Sequence, residues 1–190
     1  LDLQAAPPNI VFILADDMGY GDLKAYNPGS KISTPHLDQL AAGGMVFTDA
    51  HSGGSTCVPS RYSLITGRFA ARRKQLNWRG GPVIARGRLT FASVLRAQGY
   101  RTAMVGKWHL KEEPAAFDYY KVLPGQGKYH DPIFRVQGKA KWPKNTVSHK
   151  GQHSSDAITD SSLAWLRARD KSRPFFLMHH FKAPHDMFDN

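Results

Sequence analysis

The stretch Asn9-Ile10-Val11-Phe12-Ile13-Leu14-Ala15 decides the fold class of this chain. It is an uninterrupted apolar run rich in β-branched residues, which predicts a strand buried on both faces of a parallel sheet. The run stops at Asp16 and Asp17. Residues directly after a parallel strand lie at the carboxyl edge of the sheet, where open α/β proteins bind their ligands. The start of the chain therefore predicts both an architecture and the position of a site.

Strand and helix patterns alternate along the rest of the chain. Residues 101–106 and 174–178 are further buried-strand patterns, and 45–48 is a shorter strand candidate. From 111 to 152 the periodicity fails, which predicts a loop-rich excursion. Cap residues and apolar faces predict helices at 34–43, 59–66, 90–99 and 154–169. This alternation predicts an α/β fold with a mostly parallel sheet flanked by helices on both faces.

The composition is that of a globular domain. The chain has 190 residues, of which 41% are hydrophobic and 22% charged, and this is enough for one core. Its longest apolar runs are far shorter than the roughly 20 residues of a membrane-spanning helix, so no membrane partner is predicted. Residues 1–8 lack the basic and long apolar regions of a signal peptide. They fit the mature end left by signal cleavage, which points to a periplasmic or extracellular protein.

The charge balance favours polyanionic partners. Lys and Arg number 26 against 15 Asp and Glu, a formal charge of +11. Sulfated glycans and nucleic acid both fit such a balance, although charge runs are usually solvated faces. The basic residues concentrate in 68–88 and 139–150, where Trp78 and Trp142 can stack on sugars. Because no nucleic-acid-binding module is recognisable, a sulfated glycan is preferred and nucleic acid is not expected.

Cys57 is the only cysteine of the chain, and it opens the block Cys57-Val58-Pro59-Ser60-Arg61. Pro59 fits the first turn of a helix, so Cys57 would lie at the positive end of the helix dipole, where anions and nucleophiles are favoured. Arg61 follows one turn later, which brings its guanidinium toward the same end. On these residues alone, a catalytic thiol and a small buried hydrophobe are equally good interpretations.

Three predicted strands end in polar residues that would meet at one edge of the sheet: Asp16-Asp17, Lys107 with His109, and His185. Adjacent carboxylates repel each other unless a cation shares them, so the pair predicts a hard divalent ion, Ca²⁺ or Mg²⁺, rather than zinc. Arg61 and Lys107 together suit a tetrahedral oxyanion such as sulfate or phosphate. Each residue taken singly fits an ordinary structural role, so the prediction depends on their convergence.

Five sequence blocks together resemble the type I sulfatases of the alkaline-phosphatase-like superfamily. Each block is only modestly specific, but their order and spacing cover most of the chain. The blocks are Pro8 to Asp22, Thr34 to Asp38, Cys57 to Arg61 with Thr66 to Arg68, Gly106 to Leu110, and Lys182 to His185. The resemblance implies an alkaline-phosphatase/sulfatase-like α/β fold and a sulfatase, an enzyme that hydrolyses sulfate esters.

The resemblance also implies a modified nucleophile and a metal. Cys57 would be oxidised after translation to formylglycine by the formylglycine-generating enzyme. Its hydrated aldehyde would supply the nucleophilic oxygen and a metal ligand, and the sulfated hydrate could then expel sulfate by collapsing back to the aldehyde. Asp16 and Asp17 would bind Ca²⁺, with Mg²⁺ as the alternative.

The remaining candidate residues receive roles from the same resemblance. Arg61 would hold and polarise the hydrated aldehyde, and Lys107 would bind the sulfate. His109 would be the base that takes the remaining hydroxyl proton when sulfate leaves. His185 would lie near the ester oxygen and help to protonate the departing alcohol.

Several functions remain open at this point. The preferred one is hydrolysis of O-sulfate groups on a carbohydrate or polysaccharide. A close alternative is a phosphonate or phosphate monoester hydrolase of the same superfamily. A non-catalytic polyanion-binding module and a nucleic-acid-binding domain rank lower, because neither explains the acidic pair and the cysteine block together.

The chain departs from the family pattern near its end. Family members usually continue and supply an Asp-Asn or Asp-His metal pair and another lysine. Asp189-Asn190 follows His185 too closely to be that pair, with no strand between them. We therefore expect residues 1–190 to be the amino-terminal portion of a single sulfatase-like catalytic domain, incomplete at its C-terminal side. The remaining C-terminal part of the fold would be its structural partner.

Overall fold

The computed structural model describes residues 6–72, 83–138 and 140–185. Within these ranges six strands are present. They are β1 (Ile10–Leu14), β2 (Arg101–Lys107), β3 (Tyr119–Leu123), β4 (Ile133–Val136), β5 (Thr146–Ser148) and β6 (Phe175–His180). They form one sheet in the order β1-β6-β2-β3-β4-β5. The pairs β1·β6, β6·β2 and β2·β3 are parallel, and β4 and β5 are added antiparallel.

Four α-helices accompany the sheet in the described ranges. They are α1 (Pro35–Ala42), α2 (Cys57–Thr66), α3 (Phe91–Ala97) and α4 (Ser154–Ala168). The predicted helix at 59–66 begins two residues earlier because Thr56 is extended and serves as the N-cap. Pro59 still lies in the first turn, where a missing N–H group costs no hydrogen bond. None of the helices described is long and apolar enough to span a bilayer.

The core lies on both faces of the sheet, because β2 and β6 are buried along almost their whole length. Helices α2 and α3 cover one face through Tyr62, Ile65 and Ala92. Helix α4 covers the other face through Ala157 and Ile158. The predicted mostly parallel α/β sheet with helices on both faces is confirmed.

The prediction that the first strand is buried on both faces is wrong. β1 is one of the two edge strands of the sheet that the described residues form. Val11 and Ile13 are 49% and 54% exposed, whereas Phe12 packs against the core. An apolar run predicts a strand, but the number of neighbours that cover it depends on the order of strands in the sheet.

The segment 111–152, predicted to be a loop-rich excursion, also contains three short strands, β3, β4 and β5, which the sequence analysis did not predict. These strands have three to five residues each and are separated by Pro, Gly and Lys, so their periodicity is too brief to recognise. β3 pairs with β2, β4 with β3 and β5 with β4, and local sequence does not encode these contacts between strands.

The strand candidate at 45–48 is not a strand, and Met45 is 81% exposed. Without a partner strand, a short apolar stretch has no hydrogen-bonding ladder to join. Some features named from the sequence lie outside the described residues. They are Trp78 and its neighbours in 73–82, Lys139 and Asp189-Asn190.

Candidate active site

The carboxyl ends of three adjacent parallel strands, β1, β6 and β2, meet at one edge of the sheet. Two backbone hydrogen bonds extend the pairing past the strand ends. The amide of Phe181 donates to the Leu14 carbonyl at 2.9 Å, and the amide of Asp16 donates to the Ala183 carbonyl at 3.0 Å. The turn that carries Asp16 is therefore fixed against the segment that leads to His185.

Gly106 allows β2 and β6 to approach closely at this edge. Its φ angle is +101°, which L side chains rarely adopt, and a Cβ atom here would overlap the carbonyl oxygen of His180. Because β2 ends at the next residue, this approach brings Lys107 beside His180.

Asp16 is the centre of a buried charge cluster. Arg61 Nη2 donates to Asp16 Oδ1 at 2.8 Å, and Lys107 Nζ donates to Asp16 Oδ2. The three side chains are 5%, 3% and 0% exposed, respectively. Burial raises the pKa of Asp16, but the hydrogen bonds and charges of Lys107 and Arg61 outweigh burial and hold that pKa below its usual value. Asp16 is therefore a carboxylate at neutral pH.

Cys57 joins this cluster from the start of α2. Its Sγ atom lies 3.7 Å from Lys107 Nζ. Ligand atoms of Cys57, Asp16 and His185 all lie within 4.8 Å of one another. A cavity of about 310 Å³, which we call the Cys57 cavity, is lined by Cys57, Asp16, Asp17 and Arg61 together with residues of the loop before α2. Residues that are remote in sequence thus share one cavity.

Asp17 and His185 form the rim of the cluster. Asp17 has a left-handed backbone with a φ angle of +65°, and its side chain is 56% exposed. Its Oδ2 atom lies 3.7 Å from His185 Nε2. The Tyr129 hydroxyl donates to the His185 carbonyl at 2.6 Å, so the segment carrying His185 is held from the other side as well.

His109 lies next to the cluster and lines a different cavity. Its backbone is left-handed, with a φ angle of +53°. Burial, followed by the positive charges of Lys107 and Arg61, lowers the pKa of His109 to about 4. Among the described residues, none offers a hydrogen-bond partner to its buried Nδ1 atom. His109 is therefore a neutral imidazole that can accept a proton.

His180 is a member of the cluster that the sequence analysis missed. Arg61 Nη1 lies 3.0 Å from His180 Nδ1 and donates to the Lys107 carbonyl at 2.5 Å. Burial and the charge of Arg61 lower the pKa of His180 well below its usual value, so the ring is neutral. Its Nδ1 atom also lies 3.2 Å from the Lys107 carbonyl oxygen, and the tautomer decides whether Nδ1 accepts from Arg61 or donates to that carbonyl. The sequence signal that could have revealed it is the pair His179-His180 at the end of an otherwise apolar strand. A buried polar side chain needs a hydrogen-bond partner, so such a pair indicates polar neighbours.

The donor atoms fit a divalent cation on one condition. Asp16 and Asp17 offer carboxylate oxygens, which hard cations such as Ca²⁺ and Mg²⁺ prefer. With a thiolate from Cys57 and a nitrogen from His185 nearby, the set would instead mix O, S and N atoms, as zinc sites do. Oxidation of Cys57 to an oxygen-bearing side chain makes the set suitable for a hard cation.

Comparison with known proteins identifies the family of the chain. The sulfatase family model matches residues 8–190, and the chain belongs to the sulfatase family. The N-acetylglucosamine-6-O-sulfatase of Bacteroides thetaiotaomicron is 36% identical over 181 residues, which cover 94% of this chain and 31% of that protein. Human arylsulfatase A is 50% identical over 116 residues, which cover 58% of this chain and 22% of that enzyme.

Solved structures show the same fold. A protein in complex with its substrate D-glucosamine-2-N,6-O-disulfate matches with a TM-score of 0.83 and 36% identity, over 94% of this chain and 35% of that chain. Ps i-CgsB in complex with k-i-k-neocarrahexaose matches with a TM-score of 0.79 and 29% identity, over 94% and 45% of the two chains. The chain thus spans about a third of the length of the N-acetylglucosamine-6-O-sulfatase that it matches.

Proposed function

We propose that this protein hydrolyses sulfate esters on a carbohydrate. The observation that carries the proposal is the cluster in which Asp16, Cys57 and His185 lie within 4.8 Å of one another beside two buried cations. Its chemistry suits an oxyanion and a modified nucleophile. The names of the relatives support the substrate class, since one is an N-acetylglucosamine-6-O-sulfatase and another binds a sulfated glucosamine as its substrate.

Cys57 supplies the nucleophile in its oxidised form. A hydrated formylglycine has two hydroxyl groups, one of which attacks sulfur while the alcohol leaves, and the other of which loses its proton as the C–O bond to sulfate breaks. The aldehyde is then regenerated and can be hydrated again. The position of residue 57 at the positive end of α2 favours the negative charge that develops there.

The cationic side chains orient and neutralise the sulfate. Lys107 Nζ lies between Asp16 and Cys57, where it can reach a sulfate oxygen. Arg61 contacts both Asp16 and His180, and these contacts hold its guanidinium in one orientation. A preorganised cation can stabilise the charge of the sulfate without first reorienting.

Two histidines carry the proton transfers. His109 is neutral at physiological pH and serves as the base for the second hydroxyl proton. His185 stands at the rim of the Cys57 cavity near Asp17 and delivers a proton to the departing alcohol oxygen. Each role requires hydrogen-bond reach to the substrate in the bound complex.

A divalent cation, Ca²⁺ or Mg²⁺, would be held by Asp16, Asp17 and the oxygen of converted Cys57. When bound, it supplies positive charge that lowers the energy of the nucleophilic oxygen and of the transferred sulfate. The proposal includes further ligands from the C-terminal part of the fold, with residues 1–190 as the amino-terminal part of one catalytic domain. It also includes maturation by a formylglycine-generating enzyme and a periplasmic or extracellular location.

The test combines mass spectrometry with activity. Conversion of Cys57 lowers the mass of the peptide that contains it by about 18 Da. Converted full-length protein should hydrolyse 4-methylumbelliferyl sulfate faster than the corresponding phosphate, and Cys57→Ala should abolish this activity. Faster hydrolysis of the phosphate would contradict the assignment, as would full activity in the Cys57→Ala variant.

A further inference from the structure

A second cavity of about 250 Å³ opens beside the candidate active site. We call it the Trp142 cavity. It is lined by two indole rings and three basic side chains. These are Trp108, Trp142, His109, Lys111 and Arg135. The cavity begins where the charge cluster ends along the chain, because Trp108 and His109 directly follow Lys107, the last residue of β2.

The walls of the cavity are held in place. Trp108 is only 5% exposed, and its Nε1 atom donates to the Glu112 carbonyl at 2.8 Å. The Phe117 ring packs edge to face against it, with centroids 6.0 Å apart. These two contacts hold the Trp108 ring in one orientation where it lines the cavity.

Arg135 and Trp142 form the opposite wall. The guanidinium carbon of Arg135 lies 4.6 Å from the centroid of the Trp142 ring, and its Nε donates to the Pro143 carbonyl at 3.2 Å. The Trp142 ring in turn packs edge to face on Tyr120 at 6.0 Å. A stacked and hydrogen-bonded arginine is well oriented to recognise an anion with its planar fork.

The charge of the cavity is positive because nearby acids are engaged elsewhere. The Glu112 carboxylate accepts hydrogen bonds from the amides of Val83 and Ile84, at 2.7 and 2.9 Å. The Glu113 carboxylate accepts from the Tyr120 hydroxyl at 2.6 Å. Among the described residues that line the Trp142 cavity, none carries a carboxylate.

The loop after β2 adopts unusual backbone conformations where it lines the cavity. His109 and Lys111 both have positive φ angles, +53° and +70°, which cost energy for residues other than glycine. Such conformations cluster at ligand-binding sites, where the surrounding structure maintains them.

From these observations we propose that the Trp142 cavity binds an anionic sugar residue next to the one that carries the hydrolysed sulfate ester. The partly exposed Trp142 ring suits the apolar face of a pyranose ring, and Arg135 and Lys111 suit a sulfate or carboxylate group on it. The inference rests on the proposed function. It selects a substrate of at least two sugar units, with a second negative charge on the neighbouring unit.

The test compares inhibition of aryl sulfate hydrolysis by ligands of different size in the full-length protein. Tetrasaccharides from heparin and from iota-carrageenan should inhibit wild type more strongly than inorganic sulfate does. Arg135→Ala and Trp142→Ala should each raise the inhibition constant of the better tetrasaccharide by about 10-fold, the effect of losing a charged hydrogen bond or a stacked ring. Inhibition by inorganic sulfate should not change.

Two further variants serve as controls. Trp142→Phe keeps an aromatic face and should retain most of the tetrasaccharide affinity. Arg167→Ala removes an exposed arginine of α4, outside the Trp142 cavity, and should leave all inhibition constants unchanged. Equal loss of tetrasaccharide affinity in Arg167→Ala would mean that overall charge, rather than the Trp142 cavity, binds the glycan.

Calorimetry separates this proposal from the proposed function. The Cys57→Ala protein, which cannot turn over, is titrated with the same tetrasaccharides with and without Arg135→Ala. If Cys57→Ala binds the tetrasaccharides in an Arg135-dependent way while the converted wild-type protein hydrolyses no sulfate ester, the enzymatic function is refuted and the glycan site is retained. Two outcomes would overturn the glycan site alone while aryl sulfate hydrolysis persists. In the first, tetrasaccharides inhibit equally well without Arg135 or Trp142. In the second, tetrasaccharides inhibit no more strongly than inorganic sulfate.

Discussion

The Cys57 cavity and the Trp142 cavity lie side by side at the carboxyl edge of the sheet but are built on different principles. In the Cys57 cavity, Asp16, Arg61 and Lys107 are at most 5% exposed, and each ion is matched by a partner. In the Trp142 cavity Arg135 is only partly buried and stacks on the Trp142 ring, and Lys111 is exposed.

This difference has an energetic consequence. Breaking a buried ion cluster leaves uncompensated charge in a poorly solvated place, so changes there affect folding and chemistry together. A half-exposed arginine on an indole ring can be removed at a small cost in stability, so changes there affect mainly affinity. Substitutions in the first site should therefore be severe and coupled, and those in the second should be mild and specific.

The largest expected effect is that of Asp16→Ala. Removal of this carboxylate leaves Arg61 and Lys107 buried without their acidic partner, which should lower the free energy of unfolding by about 3–5 kcal/mol. Activity on an aryl sulfate should fall at least about 1000-fold, because the nucleophile and the metal both depend on Asp16. Urea denaturation and steady-state kinetics of the full-length protein measure the two effects.

Asp17→Ala is the matched control for this coupling. Its side chain is 56% exposed, so the change in unfolding free energy should stay within about 0.5 kcal/mol while activity is still lost. If both variants lost activity with unchanged stability, the buried cluster would not be the structural unit described here.

Gly106→Ala should give the next largest effect. Its new methyl group would meet the His180 backbone, and its φ angle is +101°, so we expect a loss of at least about 3 kcal/mol in unfolding free energy. Gly151 also has a positive φ angle, +76°, but has no atom within 4 Å of an added Cβ. Gly151→Ala should therefore cost only about 1 kcal/mol. Thermal denaturation of the two variants measures the difference, and equal losses would argue against close β2·β6 packing as the constraint.

His180→Ala should have a smaller effect on catalysis than Asp16→Ala. Arg61 would lose one of the partners that fix its orientation, so kcat should fall about 10-fold, equivalent to ~1.4 kcal/mol, with KM unchanged. His180→Gln should recover part of the loss, because its side-chain oxygen can accept from Arg61. A change in KM alone would indicate that His180 acts on substrate binding instead.

The smallest effect concerns pH. Burial lowers the pKa of His179, whose ring lies 2.7 Å from the Ser162 hydroxyl, packs on Phe181 and adjoins His180. At a pH below 6.5, the usual pKa of histidine, His179 is protonated in the unfolded chain but still neutral in the folded chain. The free energy of unfolding therefore decreases as the pH falls below 6.5.

His179→Gln should make this dependence shallower, by at most about 1.4 kcal/mol per pH unit. Denaturation midpoints of the two proteins are compared between about pH 5 and pH 7, because this range contains the pKa of an unperturbed histidine. An unchanged slope would show that His179 is not the group responsible.

Much of the candidate site could be predicted from the sequence. The polar residues that end β1 and β2 and follow β6 indicated the correct edge of the sheet, because parallel strands place their carboxyl ends together whatever their order. The cysteine block indicated a helix N-terminus, and the helix does begin at Cys57. The catalytic and metal-binding roles of these residues remain predictions.

Other features could not be predicted, for identifiable reasons. The edge position of β1 depends on strand order, which an apolar run does not specify. The strands within 111–152 are too short to show a period, and each depends on a neighbouring strand: β3 pairs with β2, β4 with β3 and β5 with β4. His180 was missed because its role depends on Arg61, 119 residues away in the chain.

The amino-acid sequence by itself determined the α/β class, the sulfatase family and the residues that end the strands, since apolar periodicity and local motifs encode them. Only the tertiary structure decided that Asp16 is shared by two buried cations, that His180 orients Arg61, and that Trp108 and Arg135 enclose a second cavity. These arrangements join residues that are far apart in the chain, and their distances are set by sheet order and packing.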